Sequence, residues 1–170
     1  EDGKIVDKYY TLIRPPRMEF DSCNIMIHHI TPDMVEDAED FSGIWPELEK
    51  HLSGRVVLAH NAPFDMGVLR SCLLTHKIDA PEFIQGCTVQ LSRKAWPELM
   101  NHKLDTVGRF LNVDFKHHDA LEDARACAAI PLAAAKAVGA SDIHELFSAF
   151  NVKLAEFDPN PHVSWQKRRT

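Results

Sequence analysis

Long hydrophobic runs are missing from this 170-residue sequence. No stretch approaches the roughly 20 consecutive apolar residues of a membrane-spanning helix, and the beginning of the chain has no signal-peptide pattern. We therefore expect no membrane partner. The length fits one domain that can bury a core of its own.

Cysteine is scarce, with four residues and no CxxC pair. Cys72 and Cys127 lie in apolar patterns of helical spacing, where a thiol packs as a small hydrophobic group. Because disulfides are rare in the cytoplasm, these thiols favour a reduced, cytoplasmic protein. Two disulfides in a secreted protein remain the alternative.

An excess of basic residues is also missing, since 19 Lys and Arg face 25 Asp and Glu, for a formal charge of −6. This balance argues mildly against a non-specific nucleic-acid binder, which is usually basic. A site built from carboxylates would also make the chain acidic, because bound metal offsets the charge locally. Net charge therefore leaves the class of partner open.

Strand and helix patterns alternate along the chain, which predicts an α/β fold. Residues 55–59 (RVVLA) are a short β-branched run, typical of a parallel strand that is buried on both faces. Further strands are predicted at residues 4–13 and 83–91. Apolar spacing and helix propensity predict helices in five stretches: 41–52, the residues after Pro63, 104–111, 120–138 and 143–150.

The segment 60–65 (HNAPFD) follows the buried strand and opens a helix. Ligands of open α/β sheets bind beyond the carboxyl ends of strands, so a site is expected here. Asp65 falls in the first helical turn, where the helix dipole favours a negative charge. The structural alternative is that Asn61 caps the helix and Asp65 only complements the dipole.

The segment 117–124 (HHDALEDA) places an imidazole and a carboxylate at the entry of the Ala-rich helix. On one continuous helix a spacing of five residues turns two side chains about 140° apart. His118 must therefore precede the helix to share a site with Asp123, and Asp119 as N-cap would allow this. A capped, solvated first turn is the structural alternative.

Together the two segments resemble the second and third motifs, HNxxFD and HxALxDA, of the DEDDh-class 3′–5′ exonucleases. Residues 27–31 (IHHIT) resemble the HGIT segment of that family, with His29 in place of Gly. The resemblance covers about residues 1–138 and is strongest to the proofreading (epsilon) subunit of bacterial DNA polymerase III. It implies a ribonuclease H-like mixed sheet flanked by helices, with an exonuclease domain over residues 1–150 and a tail or linker over 151–170.

The resemblance also implies a reaction. The family hydrolyses the terminal phosphodiester of DNA, with RNA as a second candidate substrate, and releases nucleoside 5′-monophosphates. Two Mg²⁺ or Mn²⁺ ions clamp the scissile phosphate in such enzymes. Single-stranded DNA or a 3′ end is the implied partner, and a DNA polymerase is a candidate protein partner.

Roles for individual residues follow from the same resemblance. Asp123 and Asp65 would hold the metal ions, and His118 would be the general base because an imidazole titrates near neutral pH. His117 and Glu122 are expected to be structural, and His60 is expected to support the turn. The substrate-binding residues would be Asn61, Phe64, Ile27 and His28, with Phe64 offering a stacking face.

One motif of the family is missing from the sequence. The opening DxE strand, which carries two further metal ligands, has no counterpart, and Glu1-Asp2-Gly3 resembles the middle of a hairpin. We expect two strands to be missing, and roughly 20–30 further residues to precede Glu1 in the natural protein. We also expect weak metal binding and negligible activity from the 170-residue chain alone.

Two other classes of function compete with this interpretation. His118-Asp119 is a literal His-Asp doublet, as in the HD-type metal phosphohydrolases, but that fold is all-helical. A nucleic-acid-binding fragment that keeps the fold without catalysis is the second alternative, and the missing motif favours it.

Overall fold

A three-stranded sheet with helices on both faces forms the frame of the protein, in a computed structural model that describes residues 3–160. The strands are β1 (Val56–Ala59), β2 (Ile84–Cys87) and β3 (Ala155–Glu156). The helices are α1 (Ser22–His28), α2 (Pro32–Val35), α3 (Phe41–Leu52), α4 (Ala62–His76), α5 (Thr88–Ala95), α6 (Leu104–Phe110), α7 (Ala120–Val138) and α8 (Ile143–Ala149). The predicted α/β class is confirmed.

The central strand β2 pairs with a neighbour on each side. β1 runs parallel to β2 with Val56 opposite Ile84, and α4 forms the crossover between the two strands. β3 runs antiparallel to β2, with Glu156 opposite Ile84. The sheet is therefore mixed, and the carboxyl ends of β1 and β2 point to the same edge.

Two apolar clusters cover the two faces of the sheet, as the RVVLA run predicts. Leu58 packs against one cluster, whose buried residues come largely from α5, α6, α7 and α8. Val57 and Ala59, the neighbours of Leu58 in β1, pack against the other, which α3 and α4 supply together with Phe83 and Phe157. Successive side chains of a strand point to opposite faces, so β1 is sandwiched between the two layers.

The packed part of the chain continues past residue 150, where the exonuclease domain was predicted to end. Val152 is buried, and β3 adds a strand to the sheet. The Phe157 ring stacks on Phe83 with 4.5 Å between centroids, and the Arg70 guanidinium lies 5.0 Å from the same ring. Residues 152–157 therefore complete the core, whereas residues 161–170 of the predicted tail lie outside the described residues.

The predicted strand at residues 4–13 is wrong, because this segment is extended but is not part of the sheet. A strand is defined by hydrogen bonds to a neighbour, and the described residues supply no neighbouring strand here. Ile5, Val6 and Tyr10 are more than half exposed as a result. The predicted strand at 83–91 is half right, since β2 ends at Cys87 and α5 begins at Thr88.

Within residues 3–160, no single helix is both long enough and apolar enough to cross a membrane. Only α7 and α8 taken together would satisfy length and composition, and they are bent by 70° where they meet.

Gly86 and Gly67 give a matched pair for testing how tightly the sheet is packed. A Cβ at Gly86 would lie 2.6 Å from Leu58 Cδ2 and 2.7 Å from Leu154 Cδ2. We expect Gly86→Ala to lower the free energy of unfolding by about 1–3 kcal/mol through overpacking. Gly67→Ala on α4 meets nothing within 4 Å and should raise it by about 0.5–1 kcal/mol. Urea unfolding measures both, and equal effects would contradict the packing described here.

Candidate functional site

A cleft of about 1220 Å³ lies beside β1 and at its carboxyl end. We call it the β1 cleft. Its polar lining includes residues of the β1–α4 junction, the loop before α6, the loop before α7, and α7 itself. These residues include His60, Asn61, Asp65, His102, Lys103, His117 and Asp123. The position agrees with the expectation that a site lies beyond the strand ends.

Asp65 and Asp123 both line the β1 cleft, although 58 positions separate them in the sequence. Both act on the thiol of Cys127. Burial is the main cause that raises the pKa of that thiol to about 11; a hydrogen bond with Thr88 lowers it, and the negative charges of Asp65 and Asp123 contribute to the rise. Cys127 itself lines the same cleft.

The environment of the Asp123 carboxylate favours a bound cation. Its Oδ1 atom is buried and has no hydrogen-bond partner within the described residues. Leaving a polar atom in that state costs about 1–3 kcal/mol, and more when the group is charged. A cation at this oxygen would remove the cost, so the arrangement fits a metal ligand.

Asp65 is held in a setting that also favours a cation. It occupies the first turn of α4, and partial burial raises the pKa of its carboxyl above the usual value, while its own backbone N–H group lowers it. A divalent ion would stabilise the charged form that burial disfavours. The two carboxylates offer hard oxygen ligands, which suit Mg²⁺ or Mn²⁺.

The loop before α7 brings two imidazoles to Asp123. One ligand atom each from His117, His118 and Asp123 lies within 4.8 Å of the others. Asp119 is the N-cap of α7, as predicted, and its side chain accepts hydrogen bonds from the N–H groups of Leu121 and Glu122. His118 therefore precedes the helix, with a left-handed φ of 70°.

His117 is the main residue that the sequence interpretation missed. It was expected to be structural, yet it lines the β1 cleft and belongs to the group with His118 and Asp123. His118 itself does not line the cleft, although one of its ring nitrogens lies within 4.8 Å of an Asp123 carboxylate oxygen. The left-handed turn at His118, which the sequence does not reveal, brings the consecutive imidazoles together.

His60 supports the turn after β1, as expected, by joining a chain of hydrogen bonds. Its Nε2 lies 2.9 Å from the backbone carbonyl of His102, so Nε2–H donates and Nδ1 accepts. The Thr88 hydroxyl, 3.0 Å away, then donates to Nδ1, and the Cys127 thiol, 3.4 Å from that hydroxyl, donates to it. The chain links β1, α5, α7 and the loop before α6.

Of the predicted substrate-binding residues, Asn61 alone lines the β1 cleft. Asn61 has a left-handed φ of 75° and forms no capping hydrogen bond through its side chain, so the cap interpretation does not hold. Phe64 is 68% exposed in the first turn of α4. Ile27 and His28 are on α1 and do not reach the cleft, and His28 Nδ1 accepts from the Ile30 N–H at 3.0 Å.

Basic side chains from separate segments also line the cleft, and the sequence interpretation did not select them. Arg93 extends from the end of α5, Lys103 precedes α6, and Lys4 lies in the extended N-terminal segment. Cations beside a carboxylate site are suited to hold the phosphates of a nucleic acid. No local sequence pattern distinguishes these three from the other basic residues.

An α/β frame with acids and imidazoles gathered near the carboxyl end of β1 is the arrangement expected of the exonuclease class that the two motifs resemble. The model of the exonuclease family (RNase_T) matches residues 1–130, and the chain belongs to that family. The identification as a DEDDh-type 3′–5′ exonuclease is thereby confirmed, and the all-helical HD alternative is wrong.

Similar proteins include bacterial polymerases that are much longer than this chain. The PolC-type DNA polymerase III of Lacticaseibacillus paracasei is 32% identical over 154 residues, covering 86% of this chain and 10% of the polymerase. Its counterpart in Thermotoga maritima is 34% identical over 132 residues, or 76% of this chain and 9% of that protein. The chain thus spans about a tenth of the length of these curated relatives.

A solved structure supports the fold. Exonuclease X in complex with 5′ overhanging duplex DNA superimposes with a TM-score of 0.70, covering 88% of this chain and 85% of that one. The two sequences are 24% identical, so this likeness shows the ribonuclease H-like fold alone.

The hydrogen-bond chain through His60 predicts a defined pH response. Burial lowers the pKa of His60 below its usual 6.5, outweighing the bond to His102 and the charge of Asp123, which raise it. As pH falls below 6.5, the unfolded chain takes up a proton that the folded chain resists, so folding stability is lost. We expect His60→Gln, which keeps a donor to His102, to lose less stability over that range than the wild type.

Urea unfolding at several pH values with EDTA present measures this difference. His144→Gln is the control, since His144 is exposed at the start of α8. Equal pH profiles for the wild type and His60→Gln would show that the fold tolerates a charged His60.

Proposed function

We propose that this protein is a metal-dependent 3′–5′ exonuclease that trims single-stranded DNA 3′ ends and releases nucleoside 5′-monophosphates. The observation that carries the proposal is the convergence of Asp65 and Asp123 on one cleft, with His118 beside Asp123. Nothing in the cleft reads the sugar 2′-hydroxyl, so RNA is the second candidate substrate.

In this proposal Asp65 and Asp123 hold divalent metal, with Asp123 a direct ligand through its buried oxygen. Mg²⁺ or Mn²⁺ bound there would polarise the scissile phosphate and lower the pKa of the attacking water. His118 would act as the general base that accepts a proton from the attacking water. Its exposed position before α7 lets it exchange the proton with solvent between turnovers.

The substrate is held by groups around the carboxylates. Arg93 and Lys103 contact the phosphates next to the scissile bond, which fixes the strand without reading its sequence. Asn61 contributes its amide to the terminal nucleotide, since the side chain is not used for capping. Phe64 offers its exposed ring as a stacking face for a terminal base.

A polymerase context belongs to the proposal as well. The relatives that match over three quarters or more of this chain are PolC-type DNA polymerases III. We infer that this domain acts in proofreading, together with a DNA polymerase that presents the primer end. The chain spans only about a tenth of those relatives, so the inference concerns this segment and its chemistry.

Hydrolysis of a labelled oligonucleotide tests the function. The assay compares the 170-residue chain with the full product of its gene, each with Mn²⁺, Mg²⁺ or EDTA. We expect the full product to shorten a 5′-labelled strand stepwise from its 3′ end, and the 170-residue chain to do so negligibly. Robust trimming by the short chain would contradict the expected need for further metal ligands. Strand binding without hydrolysis by the full product would favour a binding module.

Two neighbouring acids on α7, Asp123 and Glu122, allow the loss of a metal ligand to be distinguished from the loss of a negative charge. Asp123→Asn should lower the hydrolysis rate by at least roughly 100-fold, because a metal ligand is lost. Glu122→Gln is the matched control, since Glu122 pairs with Arg125 at 2.7 Å and does not line the β1 cleft. Rates are measured under single-turnover conditions, and equal losses in the two variants would argue against Asp123 as a ligand.

A further inference from the structure

The group of His117, His118 and Asp123 has a ligand composition that differs from that of the carboxylate pair. Two imidazole nitrogens and one carboxylate oxygen lie within 4.8 Å of one another. The two imidazole rings are 4.0 Å apart between centroids, at an interplanar angle of 68°. One ion can therefore contact both rings and the carboxylate after small rotations of the side chains.

The backbone holds this group in place before any ion arrives. The left-handed conformation of His118 turns the chain sharply, and the Asp119 N–H donates to the Lys116 carbonyl at 3.2 Å. On the other side of the turn, the Asp123 N–H donates to the Asp119 carbonyl at 2.8 Å, which fixes Asp123 relative to the cap. The Phe115 ring packs 5.7 Å from the His117 ring.

A second observation points to a ligand at this position. Asp123 Oδ1 is buried without a hydrogen-bond partner among the described residues, whereas Asp119 Oδ1 accepts two hydrogen bonds as the cap of α7. His117 and His118 are exposed, so an ion can reach the group from solvent. Three protein ligands would leave at least one coordination position for water.

The types of ligand atom in this group indicate which ion would bind. Imidazole suits Zn²⁺, Co²⁺ and Ni²⁺, whereas Mg²⁺ prefers oxygen ligands and gives up its waters reluctantly. We propose that His117, His118 and Asp123 form a binding site for a borderline divalent ion such as Zn²⁺, separate in ligand set from the hard-ion pair at Asp65 and Asp123. The two sites share Asp123, so their ions compete.

Occupancy has a consequence that rests on the proposed function. Zn²⁺ on His118 would occupy the nitrogen that takes the proton from water, and it would withdraw Asp123 from the hard ion. Zn²⁺ at this site therefore inhibits hydrolysis, and His117 sets the sensitivity to inhibition. The binding itself does not depend on the protein being a nuclease.

Metal binding is the direct test. Zn²⁺ is titrated into the 170-residue chain and into the full gene product, in competition with a chromophoric chelator and under reducing conditions. We expect one equivalent to bind in the presence of millimolar Mg²⁺, and His117→Ala to weaken this binding at least about tenfold. His144→Ala, which changes an exposed histidine on α8, should bind like the wild type. Bound Co²⁺ should give a visible absorption band that His117→Ala reduces.

Two outcomes would count against the site. Equal Zn²⁺ affinities for His117→Ala and His144→Ala would overturn it, as would displacement of Zn²⁺ by millimolar Mg²⁺. The Zn²⁺ affinity of His117→Gln is measured as well. Unchanged thermal unfolding of the metal-free variants would show that the fold is intact. A full gene product that binds Zn²⁺ through His117, yet cleaves no DNA with Mg²⁺ or Mn²⁺ when Zn²⁺ is absent, would keep the site and reject the nuclease proposal. If the full gene product cleaves DNA but His117→Ala leaves its Zn²⁺ affinity unchanged, the nuclease proposal stands and the Zn²⁺ site is rejected.

Discussion

The hydrogen-bond chain from Cys127 through Thr88 and His60 to the His102 carbonyl is the interaction on which the site depends. It ties the end of β1 to α5, to α7 and to the loop before α6. Asp65 follows His60 on α4, and Asp123 is one helical turn before Cys127 on α7. Because His60 donates at one nitrogen and accepts at the other, a neutral ring satisfies every member of the chain. The network therefore ties together the segments that carry the two acids, around a neutral His60.

Backbone conformation at two residues decides where the side chains of the site point. Asn61 and His118 both have left-handed φ values, and each directly precedes the start of a helix that carries an acid. Such conformations cost of order 1–3 kcal/mol for residues other than Gly and persist only when the surroundings impose them. Here α4 begins immediately after Asn61, and the Asp119 cap begins α7 after His118. The strain is located where the chain must turn from a strand or loop into an acid-bearing helix.

Much of the frame could be predicted from the sequence, because strong local signals decide it. The RVVLA run gave a strand buried on both faces, and the Ala-rich stretch gave α7 with its bounds and its Asp119 cap. β3 escaped prediction because two residues, Ala155 and Glu156, carry no periodicity and acquire strand character only by pairing with β2. Residues 4–13 have a strand pattern but no pairing partner within residues 3–160, so the pattern alone was misleading.

Part of the candidate site could be predicted, because segments 60–65 and 117–124 resemble exonuclease motifs and that resemblance points to Asp65, Asp123 and His118. The structure brings both acids to the β1 cleft and His118 close to Asp123. His117 could not be found this way, because its position depends on a φ of 70° at the next residue, and neither histidine nor its neighbours require that angle. The same limit explains Ile27 and His28, whose segment resembles the family while α1 keeps them out of the β1 cleft. Sequence spacing predicts which side chains share one face of a helix, but it does not predict where a loop places its side chains.

The charge balance of the β1 cleft follows from these contacts. A pKa of about 11 keeps the Cys127 thiol protonated near neutral pH, so it donates to Thr88 and adds no negative charge beside the acids. Burial raises the pKa of Asp65. The metal ion that we propose would favour the charged form of Asp65 and would supply the partner that the buried Asp123 oxygen lacks. In this proposal, metal binding and ionisation of Asp65 are therefore coupled.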